Sequence, residues 1–130
     1  MNTHEEQFAK TFIQPEKRAR YLSLLQSKRG RKKLLDGFYH CQDLDSRFAR
    51  PIPSDQQSAQ AVELLLKSKG APDLCHVMSA DSALDNREMS LTEALRETVG
   101  GDGGTLISCI AGKLAYFEFE PFDGRWILER

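Results

Sequence analysis

The chain has 130 residues, of which 40% are hydrophobic and 28% charged, and its formal net charge is −1. These values rule out an intrinsically disordered chain and predict one domain over 1–130 with a buried core. No segment reaches the roughly 18–20 apolar residues that span a bilayer, and the polar start from Met1 to Lys10 lacks the basic and apolar run of a signal peptide. The three cysteines, Cys41, Cys75 and Cys109, lie far apart with no CxxC spacing. They predict reduced thiols in a cytoplasmic protein rather than a disulfide framework.

The first seventy residues read as helical. Thr3 and Glu6 have capping-box spacing and predict a short first helix. Pro15 suits a first helical position after Gln14, because its missing N–H would be unpaired there anyway. The helix over 15–26 carries Tyr21, Leu22 and Leu25 as its apolar residues, and Ser27 and Gly30 interrupt the pattern. A second helix from about 29 to 41 places Leu34, Leu35, Phe38 and Cys41 on one face. Residues 42–54 read as a connector made extended by Pro51 and Pro53. Ser54 and Gln57 predict the start of a third helix over 55–69, with Ala59, Val62, Leu65 and Leu66 as its buried stripe. Gly70 and Pro72 end it.

The second half changes period. Residues 74–79 predict a strand, followed by a polar loop around Asp81 to Asn86. Ser90 and Glu93 then cap a short helix through Val99. Strands follow over 105–110, 114–120 and 125–129, with turns at Ala111-Gly112 and at Pro121 to Gly124. Pairing Glu120 with Arg125 and Phe119 with Trp126 puts Phe117, Phe119, Trp126 and Leu128 on one face. Ile107, Cys109, Leu114 and Tyr116 then lie on the opposite face. A sheet apolar on both sides needs a second cover, either a helix or another chain, so these four residues form a candidate oligomer face and a homodimer is an open expectation. The expected fold is α+β: N-terminal helices over about 1–70, then a small, mostly antiparallel β-sheet over about 73–130 with an inserted short helix.

Charge is segregated along the chain. Residues 1–50 carry 11 Lys/Arg against 6 Asp/Glu, whereas residues 51–130 carry 7 against 13. Lys17, Arg18, Arg20, Lys28, Arg29, Arg31, Lys32 and Lys33 fall within one acid-free stretch. Such a surface suits an anionic partner: an acidic protein or, alternatively, nucleic acid. The sequence pI of about 6.3 and the lack of interleaved aromatic residues weigh against nucleic acid.

Chemical signatures are weaker. His40-Cys41 and Cys75-His76 are zinc-ligand types, but neighbours diverge on a helix or strand, so each pair offers one ligand. His76, Asp81, Asp85 and Glu88 are the residues of an alternative, metal-dependent hydrolase reading, although Asp and Asn are also ordinary turn residues. The Gly100 to Gly104 run follows a helix rather than preceding one, which predicts a C-terminal turn and not a phosphate loop. Ser108 and Cys109 have no identifiable base in the sequence. No catalytic residue, metal or cofactor is therefore assigned. The expected function is that of a small non-enzymatic binding protein, accessory, regulatory or inhibitory, whose basic helical surface engages an acidic protein.

Overall fold

Residues 2–101, 103–119 and 124–130 are described by a computed structural model. The helical half comprises α1 (Thr3–Thr11), α2 (Arg18–Leu24), α3 (Lys28–Asp36) and α4 (Ala59–Ser68). Short 3₁₀ turns at Pro15–Lys17, Gly37–His40 and Ser54–Gln56 link them. The strands are β1 (Ala49–Pro51), β2 (Leu74–Ser79), β3 (Arg87–Ser90), β4 (Thr105–Ile110), β5 (Leu114–Glu118) and β6 (Arg125–Glu129), with α5 (Leu91–Thr98) between β3 and β4. They form one sheet in the order β1-β6-β5-β4-β2-β3, every neighbouring pair antiparallel. The fold is α+β.

Local chemistry sets the helix starts. Each orphan N–H of a first turn needs an acceptor, and a small polar side chain before the helix supplies one. Asn2 accepts from His4 and Glu5 and so caps α1, leaving Thr3 as its first residue. Ser27 caps α3 through the Gly30 N–H, and Ser90 caps α5 through the Glu93 N–H. The cap of α4 is Ser58, through Ala61, and not Ser54. Residues 54–56 instead close a separate 3₁₀ turn behind Pro53. Gly70 ends α4 region with φ of +97°, a conformation that a Cβ disfavours.

The strands alternate between two buried faces. On one face Cys75, Val77, Ile107, Cys109, Leu114, Tyr116 and Ile127 pack with Val62 and Leu66 of α4 and Leu91, Ala94 and Leu95 of α5. On the other, Met78, Leu106, Ala115, Phe117 and Leu128 pack with Phe8 of α1, Phe12 at its C-terminal cap, Tyr21 of α2 and Leu34 and Leu35 of α3. Phe117 is the hub of the second core, with ring centroids 5.1 Å from Phe38 and 6.3 Å from Phe8.

This arrangement corrects the candidate oligomer face. Ile107, Cys109, Leu114 and Tyr116 are at most 3% exposed. The second apolar face of the sheet is covered by α4 and α5 of the same chain, so it is unavailable to another copy.

The β5–β6 hairpin also differs from expectation. Its register pairs Glu118 with Arg125, Phe117 with Trp126 and Tyr116 with Ile127, two residues from the predicted alignment. A slide of two preserves the faces, since side chains alternate with a period of two. Phe117, Phe119, Trp126 and Leu128 therefore still share one core, and the Phe119 and Trp126 rings still stack at 6.1 Å. The Phe119 N–H donates to the Gly124 carbonyl over 2.8 Å. A Cβ at position 124 would collide with the Phe119 backbone, so glycine permits this close approach. The predicted partner Glu120 lies outside the described residues.

Candidate functional site

The basic stretch divides into structural and displayed cations. Arg18 is structural. Its Nε donates to the Ile13 carbonyl over 2.8 Å, and its Nη2 lies 3.5 Å from the buried Asp45. It thereby satisfies a carbonyl just past the end of α1, where the helix dipole also favours positive charge. Arg31 is structural too. Its Nη1 meets Glu5, while Nη2 and Nε donate to Asp85 over 2.7 and 3.3 Å. Lys32 forms an exposed i,i+4 pair with Asp36 at 3.2 Å. Lys17, Arg20, Lys28, Arg29 and Lys33 are exposed, and among the described residues none of them joins an ion pair.

The corner that presents these cations is tightly built. Gly30 sits where a Cβ would strike the Leu24 carbonyl, which lets α3 fold back closely on α2. Tyr21, Leu25, Leu34 and Leu35 bury the inner faces of the two helices in the Phe117 core. The polar faces are left outward. Between α2 and the turn after α3 lies a cleft of about 240 Å³, with Arg20 and Lys33 among its lining residues.

Arg31 belongs to a buried charged network that joins four parts of the chain. The alternation of β2 turns His76 toward α1, where its Nε2 lies 2.7 Å from Glu5 Oε2. Glu5 and His76 are 4% and 5% exposed. The chain of contacts continues through Arg31 to Asp85, whose Oδ1 also accepts the Ser79 N–H over 2.9 Å. Burial raises the pKa of the Glu5 carboxyl, but the hydrogen bonds from His76 and Arg31 and the Arg31 charge outweigh it, leaving that pKa below the ordinary value. On the other side of His76, His4 stacks at 5.7 Å, and its Nδ1 lies 2.7 Å from Ser108 Oγ. Burial and the neighbouring His76 lower the pKa of His4.

This network leaves little local trace in the sequence. One signal was present. Glu5 lies on the same helical stripe as Phe8, Ala9 and Phe12, and an acid on an apolar stripe requires a buried partner. Its partners, Arg31 and His76, are 26 and 71 residues away, beyond any local pattern. Likewise Ser108 does have a base beside it, but that base is His4, 104 residues earlier.

The acidic loop does not assemble as one site. Asp85 is engaged by Arg31, whereas Asp81 Oδ1 accepts the Ala83 N–H at 2.9 Å in an Asx turn. Asn86 takes a left-handed φ of 59°, and Arg87 reaches back to the Ala83 carbonyl. Glu88 is exposed on β3, opposite His76 in the register. Of His76, Asp81, Asp85 and Glu88, only His76 and Asp85 enter the same network. Among the described residues no group of three His, Cys, Asp or Glu side chains is placed to hold a metal ion.

The cysteines are buried and free. Cys75 and His76 point to opposite faces of β2, and exposed His40 precedes buried Cys41. Burial pushes the Cys75 and Cys109 thiols up to about 12 and also raises Cys41. They are therefore protonated at neutral pH and poor nucleophiles. Gly100, Gly103 and Gly104 have positive φ at the turn leaving α5, and Glu118 accepts the Gly100 N–H over 3.3 Å. Asp102 lies outside the described residues. No helix among those residues is long and apolar enough to cross a membrane.

No protein-family model matches the chain, and comparison with curated proteins and with solved structures likewise finds no match.

Proposed function

We propose that this chain acts by binding, and that the cations displayed on α2, α3 and the turn before α2 engage an acidic protein. The observation that carries this reading is the division within the basic stretch. Arg18 and Arg31 are spent on internal contacts that anchor the helices. Lys17, Arg20, Lys28, Arg29 and Lys33 remain exposed, with no ion pair among the described residues. Unpaired like charges on one packed corner raise the local concentration of anionic partners and speed their encounter. An accessory, regulatory or inhibitory role fits such a protein.

An acidic protein is favoured over nucleic acid because the corner offers no aromatic platform. Tyr21, the aromatic residue of α2, is 7% exposed and faces the core. Fluorescence anisotropy tests the reading, with labelled acidic peptides and labelled single- and double-stranded DNA and RNA titrated in parallel across salt concentrations. Peptide binding that is lost in the R20E/R29E/K33E variant is the expected result. Binding of nucleic acid at physiological salt, with a steep salt slope and no peptide binding, would replace the acidic protein with nucleic acid.

A further inference from the structure

We infer that the cleft between α2 and the turn after α3 is the docking point for the acidic partner, and that it receives an apolar side chain flanked by carboxylates. This rests on the binding reading above and narrows it to one place and one kind of segment.

The cleft combines two chemistries. Its volume is about 240 Å³, and its lining includes the half-buried Leu24 and the outer edge of the core residue Leu34, together with the cations Arg20 and Lys33 and the polar His40, Gln42 and Asp43. A site that binds charge alone needs no apolar wall, and one that binds an apolar group alone gains nothing from cations at its edge. The pairing fits a segment that buries one hydrophobic residue and places acids beside it. Asp43 adds direction. Its Oδ2 accepts the Tyr21 hydroxyl over 2.8 Å, which holds the carboxylate against one wall. It repels acids from that side and offers an acceptor to a backbone N–H. Carboxylates of the segment are thus steered toward Arg20 and Lys33.

One residue at the cleft has no side chain. Gly37 lines the cleft, and a Cβ built there meets no atom within 4 Å. Its φ of −81° is ordinary for any residue. A larger side chain at this position therefore has room at the cleft edge without straining the backbone or striking a neighbour. Leucine here is thus a test of the cleft that keeps every charge.

The test uses a short fluorescein-labelled peptide with one leucine set among Asp and Glu residues, and a second peptide in which that leucine is alanine. Anisotropy is measured on the wild type, on G37L and on R20E/K33E, with thermal unfolding confirming that each variant is folded. The wild type is expected to prefer the leucine peptide by about tenfold, the worth of burying one such side chain. G37L is expected to lose that preference while retaining weak, salt-sensitive binding of both peptides, and R20E/K33E to lose both. Unchanged binding in G37L, with loss in R20E/K33E, would overturn the cleft and leave the charged surface standing. Equal binding of the two peptides by the wild type would do the same. No binding of either peptide by the wild type would remove both the cleft and the acidic-partner reading.

Discussion

Replacing Arg31 by methionine tests whether this cation is part of the internal framework or part of the displayed surface. Methionine keeps most of the aliphatic length and removes only the guanidinium. The side chains of Arg31, Glu5 and Asp85 are 18%, 5% and 19% exposed, so the pairs are largely shielded from water. Without Arg31, Glu5 keeps only His76, and Asp85 keeps the Ser79 N–H. Breaking a buried pair from one side leaves an uncompensated charge and costs about 3–5 kcal/mol. For a domain of this size that is a fall in Tm on the order of 10–20 °C. Urea unfolding followed by circular dichroism reads the change directly. Exposed, unpaired Arg29 is the control: R29M should stay within about 0.5 kcal/mol of wild type. Adding E5Q to R31M should recover part of the loss, because the stranded carboxylate becomes neutral. If R31M is no less stable than R29M, the internal role of Arg31 is wrong.

Other consequences follow from the same contacts. The pKa of Glu5 is lowered in the folded protein, so its contribution is present above the unfolded carboxyl value and is lost as pH falls through the folded one. Urea unfolding at a series of acidic pH values should show that loss in wild type and a flatter profile in E5Q; identical profiles would refute it. The three buried thiols should resist a thiol-reactive chromophore at pH 8 in the native protein and react fully after unfolding in guanidinium. Rapid reaction of the native protein would contradict their burial. F117A should cost about 3–5 kcal/mol in denaturant unfolding, since the ring touches Phe8, Phe38 and Phe119 from two helical segments and the hairpin. A loss under about 1 kcal/mol would move the centre of the second core elsewhere.

What was legible in the sequence followed from local chemistry. Strands 74–79, 105–110 and 125–129 have the expected bounds, because apolar and β-branched runs there are bounded by glycine or proline turns. Ser90 caps α5 as its spacing with Glu93 predicts. Two edge strands were not legible. β1 contains Pro51, which reads as a breaker yet is tolerated on an edge strand that pairs on one side. β3 is four residues of mostly polar character, indistinguishable by pattern from the loop before it. The hairpin slid by two residues because alternation cannot distinguish registers that preserve the faces.

The candidate site was legible as a density of charge and not as a geometry. Nothing local separates Arg31 from Arg29 or Lys33, for all three sit in one run. Their different fates come from Glu5 and Asp85, which the fold brings to Arg31 from 26 and 54 positions away. The second apolar face of the sheet posed a similar question of partner, and α4 and α5 answer it from within the chain.

The most direct test of the binding account is a titration of ¹⁵N-labelled protein with the leucine-containing acidic peptide, followed by amide chemical shifts at physiological salt. The account predicts saturable shifts clustered at Arg20, Leu24, Lys28, Arg29, Lys33 and Gly37, with the strand amides of β2 and β4 unmoved. Shifts centred on the β3 edge or on α4, or none at any peptide concentration, would contradict it.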